Sequence, residues 1–154
     1  MHSVFVLCQN YPSEKDKYSM AFVHPRIKEY LKTGLDVKVI SFACNCSYIY
    51  DEVQVYTLQK GKELLRKSEK VILIAHAPNI KNHLFFILKT WKYLDRLILF
   101  FHGHEVLSTK KYYPRPYDFN KAAKREYRFL RLYDQIKLPV MRYYLKKFVA
   151  SGKC

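Results

Sequence analysis

Apolar residues along this chain fall into short continuous runs, separated by stretches in which they recur at helical spacing. Residues 3–8 (SVFVLC) form a β-branched apolar run that stops at Gln9-Asn10 and reads as a buried strand. A polar loop follows over 10–20. Over 21–32, Val23, Ile27, Tyr30 and Leu31 repeat at helical spacing, Pro25 suits the first turn, and Thr33-Gly34 ends the helix. Residues 36–43 (DVKVISFA) predict a second strand, 53–58 a weaker one, and 60–68 a lysine-rich helix. The runs 71–75 (VILIA) and 97–101 (LILFF) flank a helical pattern over 80–94. Strands that are continuously apolar, with helices between them, must be covered on both faces. The expected fold class is therefore α/β, with a doubly wound, mainly parallel sheet and helices on both faces.

The last third has a different pattern. Residues 109–118 are rich in Lys, Tyr and Pro and read as an irregular loop. Two helices fit next, over 120–133 and 139–147, the second opening at Pro139. Residues 148–151 (FVAS) then read as the start of a further strand, where the sequence stops. The expectation is one domain over 1–154 that forms part of a larger protein.

Composition changes this picture mainly through charge. The 154 residues carry 28 Lys+Arg against 13 Asp+Glu, a formal net charge of +15. Such an excess attracts nucleic acid, anionic lipid and phosphorylated substrates alike. No nucleic-acid-binding signature accompanies it, so a nucleic-acid partner is disfavoured. On 121–131, Lys121, Lys124, Arg125, Arg128 and Arg131 share one helical face, opposite Ala123, Tyr127 and Leu130. That face is either solvated or a docking face for an anionic membrane or a phosphorylated acceptor. No apolar run reaches the length of a membrane span, and the run 4–8 is too short for a signal peptide. The expected location is cytoplasmic, either free or, if the basic face docks, peripheral on the inner face of the membrane. Of the four cysteines, Cys44 and Cys46 form a lone CxC while Cys8 and Cys154 stand apart. Reduced thiols are expected.

Candidate chemistry follows from topology, because open parallel sheets bind ligands outside the carboxyl ends of their strands. The first strand ends in Asn10-Tyr11-Pro12-Ser13, the VILIA strand in His76-Ala77-Pro78-Asn79, and the LILFF strand in His102-Gly103-His104-Glu105. His102 is either a hydrogen-bonding partner for a substrate hydroxyl or phosphate, or a capped structural histidine. Gly103 permits a turn or a close approach. Glu105 either binds a sugar hydroxyl, orients His102, or lies at the surface. His76 contacts ligand or packs its loop. The H-x-H spacing lacks a second ligand pair, so no metal is expected, and no cofactor. There is no P-loop, dinucleotide fingerprint or nucleophile elbow.

These motifs, in order, resemble a known family. Asn10-Tyr11-Pro12-Ser13, Phe22-Val23-His24-x-Arg26, Gly34-x-Asp36-Val37-x-Val39-Ile40, His76-Ala77-Pro78-Asn79 and His102-Gly103-x-Glu105 resemble the opening half of glycosyltransferase family 4 enzymes. Ser19-Met20-Ala21 stand where members often carry a glycine. The resemblance implies a GT-B fold of two Rossmann-like domains, with the acceptor bound mainly by the N-terminal one. The nucleotide-sugar donor would be held mainly by a C-terminal domain that this chain lacks. It further implies sugar transfer with retention and without bound metal, to a glycan or lipid-linked acceptor, in cell-surface polysaccharide synthesis. His102 matches a family histidine that contacts the donor sugar. Asn10, Tyr11, His24, Arg26, His76, Asn79, Gly103 and Glu105 become candidate substrate-binding residues. The remaining alternatives are a basic nucleic-acid-binding domain and a stand-alone flavodoxin-like binding module.

Overall fold

The computed structural model of the chain describes residues 2–117 and 119–154. Asp118, which closes the expected loop, lies outside the described residues. The chain forms two compact units, Met1–Phe100 with Lys153–Cys154, and Phe101–Gly152.

The first unit is built on strands β1 (Ser3–Cys8), β2 (Asp36–Ser41), β3 (Tyr48–Tyr50), β4 (Val53–Tyr56), β5 (Val71–His76) and β6 (Arg96–Phe100). They form one six-stranded sheet in the order β3-β4-β2-β1-β5-β6. Every neighbouring pair is parallel except β3 with β4. Without β3, the strands follow the Rossmann-like arrangement 3-2-1-4-5 in chain order, not the flavodoxin-like 2-1-3-4-5. The fold expected from the apolar pattern is the fold observed.

Alternation along β1 explains why helices lie on both faces. Val4, Val6 and Cys8 join Val37 and Val39 of β2 in a cluster closed by Val23 and Ile27, at the start and on the inner face of α1 (His24–Lys32). Phe5 and Leu7 point the other way and are fully buried. So does Ile40, which meets α2 (Leu58–Lys67) at Gly61. A Cβ on Gly61 would stand 2.5 Å from Ile40 Cγ1, so only glycine lets this helix sit so close to the sheet.

The helical pattern over 80–94 is divided in three: a π turn at Ile80–Leu84, α3 (Phe85–Thr90) and a 3-10 turn at Trp91–Tyr93. The π turn is closed by the wide bond from Leu84 N–H to Asn79 C=O, 3.0 Å. Strand β3 was not expected. It pairs with β4 across a two-residue turn, Asp51-Glu52, with both residues at positive φ (43° and 67°). That is the turn geometry that matches strand twist, but it normally carries Asn or Gly. Lys28 of α1 holds it from outside, donating to Asp51 C=O (3.1 Å) and to Glu52 Oε2 (2.7 Å).

In the second unit the sequence expectations need correction. The stretch read as an irregular loop contains the short helix α4 (Thr109–Tyr112), and the two helices expected after it are one 30-residue helix, α5 (Lys121–Ala150), with Pro139 inside. Proline removes the N–H that would bond the carbonyl four residues back, and usually breaks a helix. Here the turn before it is held by Asp134 and Lys137, which pair with each other at 2.5 Å. Asp134 Oδ2 also accepts from Thr109 N–H (2.6 Å), and Lys137 Nζ donates to His104 C=O (2.5 Å). Residues 148–151 do not begin a strand. They end α5, where Ser151 N–H bonds Lys147 C=O at 3.1 Å and Gly152 takes the left-handed C-terminal position (φ 71°).

Candidate functional site

A recess of the first unit lies outside the carboxyl ends of β1 and β2, where the strand-end rule points. It has a volume of about 550 Å³. One wall is the loop after β1, with Asn10, Ser13, Asp16 and Ser19; the other is the segment after β2, with Asn45 and Tyr48. Hydroxyl, amide and carboxylate groups thus converge on a volume suited to a small molecule. The β1 loop is shaped by its own bonds. Ser13 and Asp16 exchange backbone hydrogen bonds (3.0 and 3.1 Å), and Tyr48 Oη donates toward Tyr11 C=O and Pro12 C=O (3.1 and 3.0 Å). Met20 adopts φ 49°, a conformation that favours glycine, at the place where the resembling family often has one. Its sulfur accepts from Asn10 N–H at 3.5 Å.

Beneath the recess runs a chain of hydrogen bonds, Tyr11–His24–Asp51. Tyr11 Oη lies 2.6 Å from His24 Nδ1, and His24 Nε2 lies 3.0 Å from Asp51 Oδ2. A carboxylate only accepts, which puts the proton of neutral His24 on Nε2 and leaves Nδ1 to accept from the Tyr11 hydroxyl. The His24 hydrogen bond, ahead of Lys28, holds the Asp51 carboxyl below its usual range. Burial pushes the Tyr11 phenol upward, so it stays protonated. Tyr11 and His24 are therefore brought together as a brace that fixes the β1 loop to α1 and to the β3–β4 turn.

On the other side of β1 lies the point where strand order reverses, between β1 and β5. Side chains of three elements meet there. Gln9 Oε1 accepts from Asn79 Nδ2 (3.3 Å) and Asn82 Nδ2 (2.8 Å), while Asn79 Oδ1 caps Asn82 N–H (2.8 Å). His76 is 0% exposed, its imidazole stacked on Phe100 with centroids 4.8 Å apart. Arg26 places its guanidinium over the same ring, 4.9 Å from its centroid. His76 and Arg26 thus share an aromatic partner. Close by, burial, together with the His76 imidazole, pushes the pKa of His83 down to about 4.

His102, Gly103 and Glu105 belong to the second unit. Glu105 Oε2 accepts from the His102 backbone N–H at 3.0 Å, so the carboxylate orients this turn through the main chain. Gly103 sits at φ 119°, and a Cβ there would lie 2.6 Å from Tyr113 Oη. The close approach that requires glycine is thus made by a tyrosine of the same unit. Tyr113 also stacks on His104, with centroids 4.0 Å apart. Of the basic residues on α5, Lys124, Arg128 and Arg131 line a cleft together with Arg115, whereas Lys121 and Arg125 do not.

No protein-family model, curated protein or solved structure matches this chain. Among the described residues no group of three or more His, Cys, Asp or Glu side chains is arranged to hold a metal ion. No helix among them is long and apolar enough to cross a membrane. All four cysteines are free, and burial pushes the Cys8 thiol upward, toward the neutral form.

Several recess residues went unsingled in the sequence, above all those after β2. The run Ala43-Cys44-Asn45-Cys46-Ser47 turns polar as soon as the second strand ends, and the rule used for the other strands applies to it equally.

Proposed function

We propose that this chain supplies the acceptor-side domain of a retaining glycosyltransferase. It would act on a glycan or lipid-linked acceptor at the cytoplasmic face of a membrane, in cell-surface polysaccharide synthesis. The observation that carries the reading is the recess of about 550 Å³ at the carboxyl ends of β1 and β2, with hydrogen-bonding side chains among its lining. A sugar hydroxyl both donates and accepts, and Asn10, Ser13, Asp16 and Asn45 offer both functions around one volume. The ordered motifs that resemble family 4 enzymes support the same reading, as does the Rossmann-like strand order, which differs from that of a flavodoxin-like module.

In this reading the domain holds the acceptor and a second Rossmann-like domain holds the nucleotide-sugar donor. The new glycosidic bond forms as the bond from the anomeric carbon to the nucleoside diphosphate breaks, and the acceptor proton leaves with the diphosphate. Positioning and stabilisation of the leaving group supply most of the rate. His102 contacts the donor sugar.

Two experiments test the reading. Titrating the isotope-labelled protein with a panel of oligosaccharides is expected to shift amide resonances of residues 10–19 and 43–49. Shifts confined to other regions would remove the recess from the site. The protein as its gene encodes it is expected to transfer labelled sugar from a nucleotide-sugar with retained anomeric configuration. His102→Ala should lower that turnover by about a hundredfold or more with the fold intact. An inverted product, or full turnover in the variant, would refute the class or the role respectively.

A further inference from the structure

The cleft on the second unit does not depend on the acceptor reading. It has a volume of about 570 Å³, and its lining includes Arg115, Lys124, Arg128 and Arg131 with Tyr117 and Tyr127. No carboxylate lines it among the described residues. Three of the cations lie along one face of α5 at intervals of four and three residues, and the fourth comes from the segment before that helix. Two chain segments therefore converge positive charge on one volume, which a merely solvated helix face does not do. Confining like charges in a recess raises the potential there and favours an anion that bonds several of them at once.

We propose that this cleft binds a diphosphate group. Lys124 and Arg131 are seven residues apart, roughly 10 Å along the helix axis. A single phosphate is too small to bridge that span, whereas two linked phosphoryl groups reach cations at both ends. Arginine forks suit phosphoryl oxygens bidentately, which places Arg128 and Arg131 as the main ligands. The volume left beyond the phosphates, with two tyrosines on its wall, accommodates the group the diphosphate carries. A soluble nucleoside diphosphate and a lipid-linked diphosphate share this chemistry.

The test is calorimetric titration of the whole chain with inorganic pyrophosphate in about 150 mM salt, where diffuse attraction is screened. Saturable one-to-one binding is expected. The double variant Arg128→Gln, Arg131→Gln should weaken it by about a hundredfold, since each lost charge-assisted bond contributes roughly tenfold. The charge-matched pair Lys67→Gln, Lys70→Gln should change it less than about threefold. Equal weakening by both pairs, or no saturable binding, would overturn the site. If the double variant fails to fold, Arg128→Lys keeps charge and stem while removing the fork, and should still weaken binding about fivefold. Flotation with phosphatidylcholine vesicles, with and without a diphosphate-headgroup lipid, separates the sources. Capture only by the diphosphate vesicles supports the lipid-linked form, and pyrophosphate binding without capture supports the soluble form. Equal capture by phosphatidylglycerol vesicles, or tighter binding of single-stranded RNA than of pyrophosphate, would reveal general anion attraction and overturn the proposal.

Discussion

The two units of this chain are held together by different physics. In the first, the largest fully buried side chains, including Phe5, Leu7, Ile40 and Leu73, are locked between a parallel sheet and its covering helices. In the second, apolar side chains along the long helix stay exposed, among them Phe129, Leu132 and Ile136. Order there comes from helical hydrogen bonds and from a few polar clamps, chiefly Asp134 and Lys137 holding Thr109 and His104. Burial is tolerant of chemistry and intolerant of volume; polar clamps are the reverse. Substitutions should therefore act on the two units in opposite ways.

The largest expected contrast is between two phenylalanines. Phe5→Ala should destabilise the first unit by about 3–5 kcal/mol, and Phe129→Ala should stay within about 0.5 kcal/mol, by urea denaturation. Comparable losses would erase the distinction between the units. Acid comes next. His83 is buried with a folded pKa of about 4 against 6.5 for the ordinary group. The unfolded chain therefore takes up the proton first as pH falls. The stability tied to neutral His83 is complete above pH 6.5, and roughly 3 kcal/mol of it is lost by pH 4. His83→Phe should flatten that slope, and an unchanged slope would assign it to other groups.

A third pair opposes two poor helix formers. Pro139→Ala restores a missing hydrogen bond in α5 and should stabilise the second unit by about 2–3 kcal/mol, read as slower amide exchange around Gln135. Gly61→Ala would ordinarily favour a helix, but the new Cβ meets Ile40, so a net loss of about 1–2 kcal/mol is expected. A gain at Gly61 would mean that α2 can move off the sheet. Smallest are the helix caps. Thr57 accepts from Lys60 N–H and Asn120 from Ala123 N–H, at 3.2 and 3.0 Å. Alanine at each should cost about 1 kcal/mol, equally in both units, because a cap is local whatever surrounds it.

The first unit was also the more legible in the sequence, for a physical reason. A strand covered on both faces must be continuously apolar, so β1 and β5 announced themselves as SVFVLC and VILIA; β6 was equally visible as LILFF, although at the sheet edge its Ile98 is exposed. Strand β3 did not, since Tyr48-Ile49-Tyr50 is short, Ile49 is exposed, and its turn lacks the usual glycine. The turn is stabilised by Lys28 and His24 from another element, which no local pattern reveals. The same holds in the second unit, where long-range ties from Asp134 and Lys137 carry the helix up to Pro139. For the candidate site, Asn10 and Tyr11 line the recess as the strand-end rule implied, and Tyr11 meets His24. The β2 side of the recess was harder to see because Ala43-Cys44-Asn45-Cys46-Ser47 carries no histidine or charged side chain to mark the strand end. What Gly103 makes room for was equally invisible, since Tyr113 becomes its neighbour only once α4 has formed.

β6 lies at the margin of the sheet, and Lys153 fastens to it: its carbonyl accepts from Leu97 N–H at 2.7 Å, and its ammonium donates to Leu94 C=O at 2.6 Å. Unpaired strand margins recruit other chains and seed aggregates. This residue therefore acts as a selvedge, the finished border that keeps a fabric from unravelling. Lys153→Ala would keep the main-chain bond to Leu97 and lose only the ammonium's bonds, so the border should hold under that change, whereas a change that displaces the backbone there would open it.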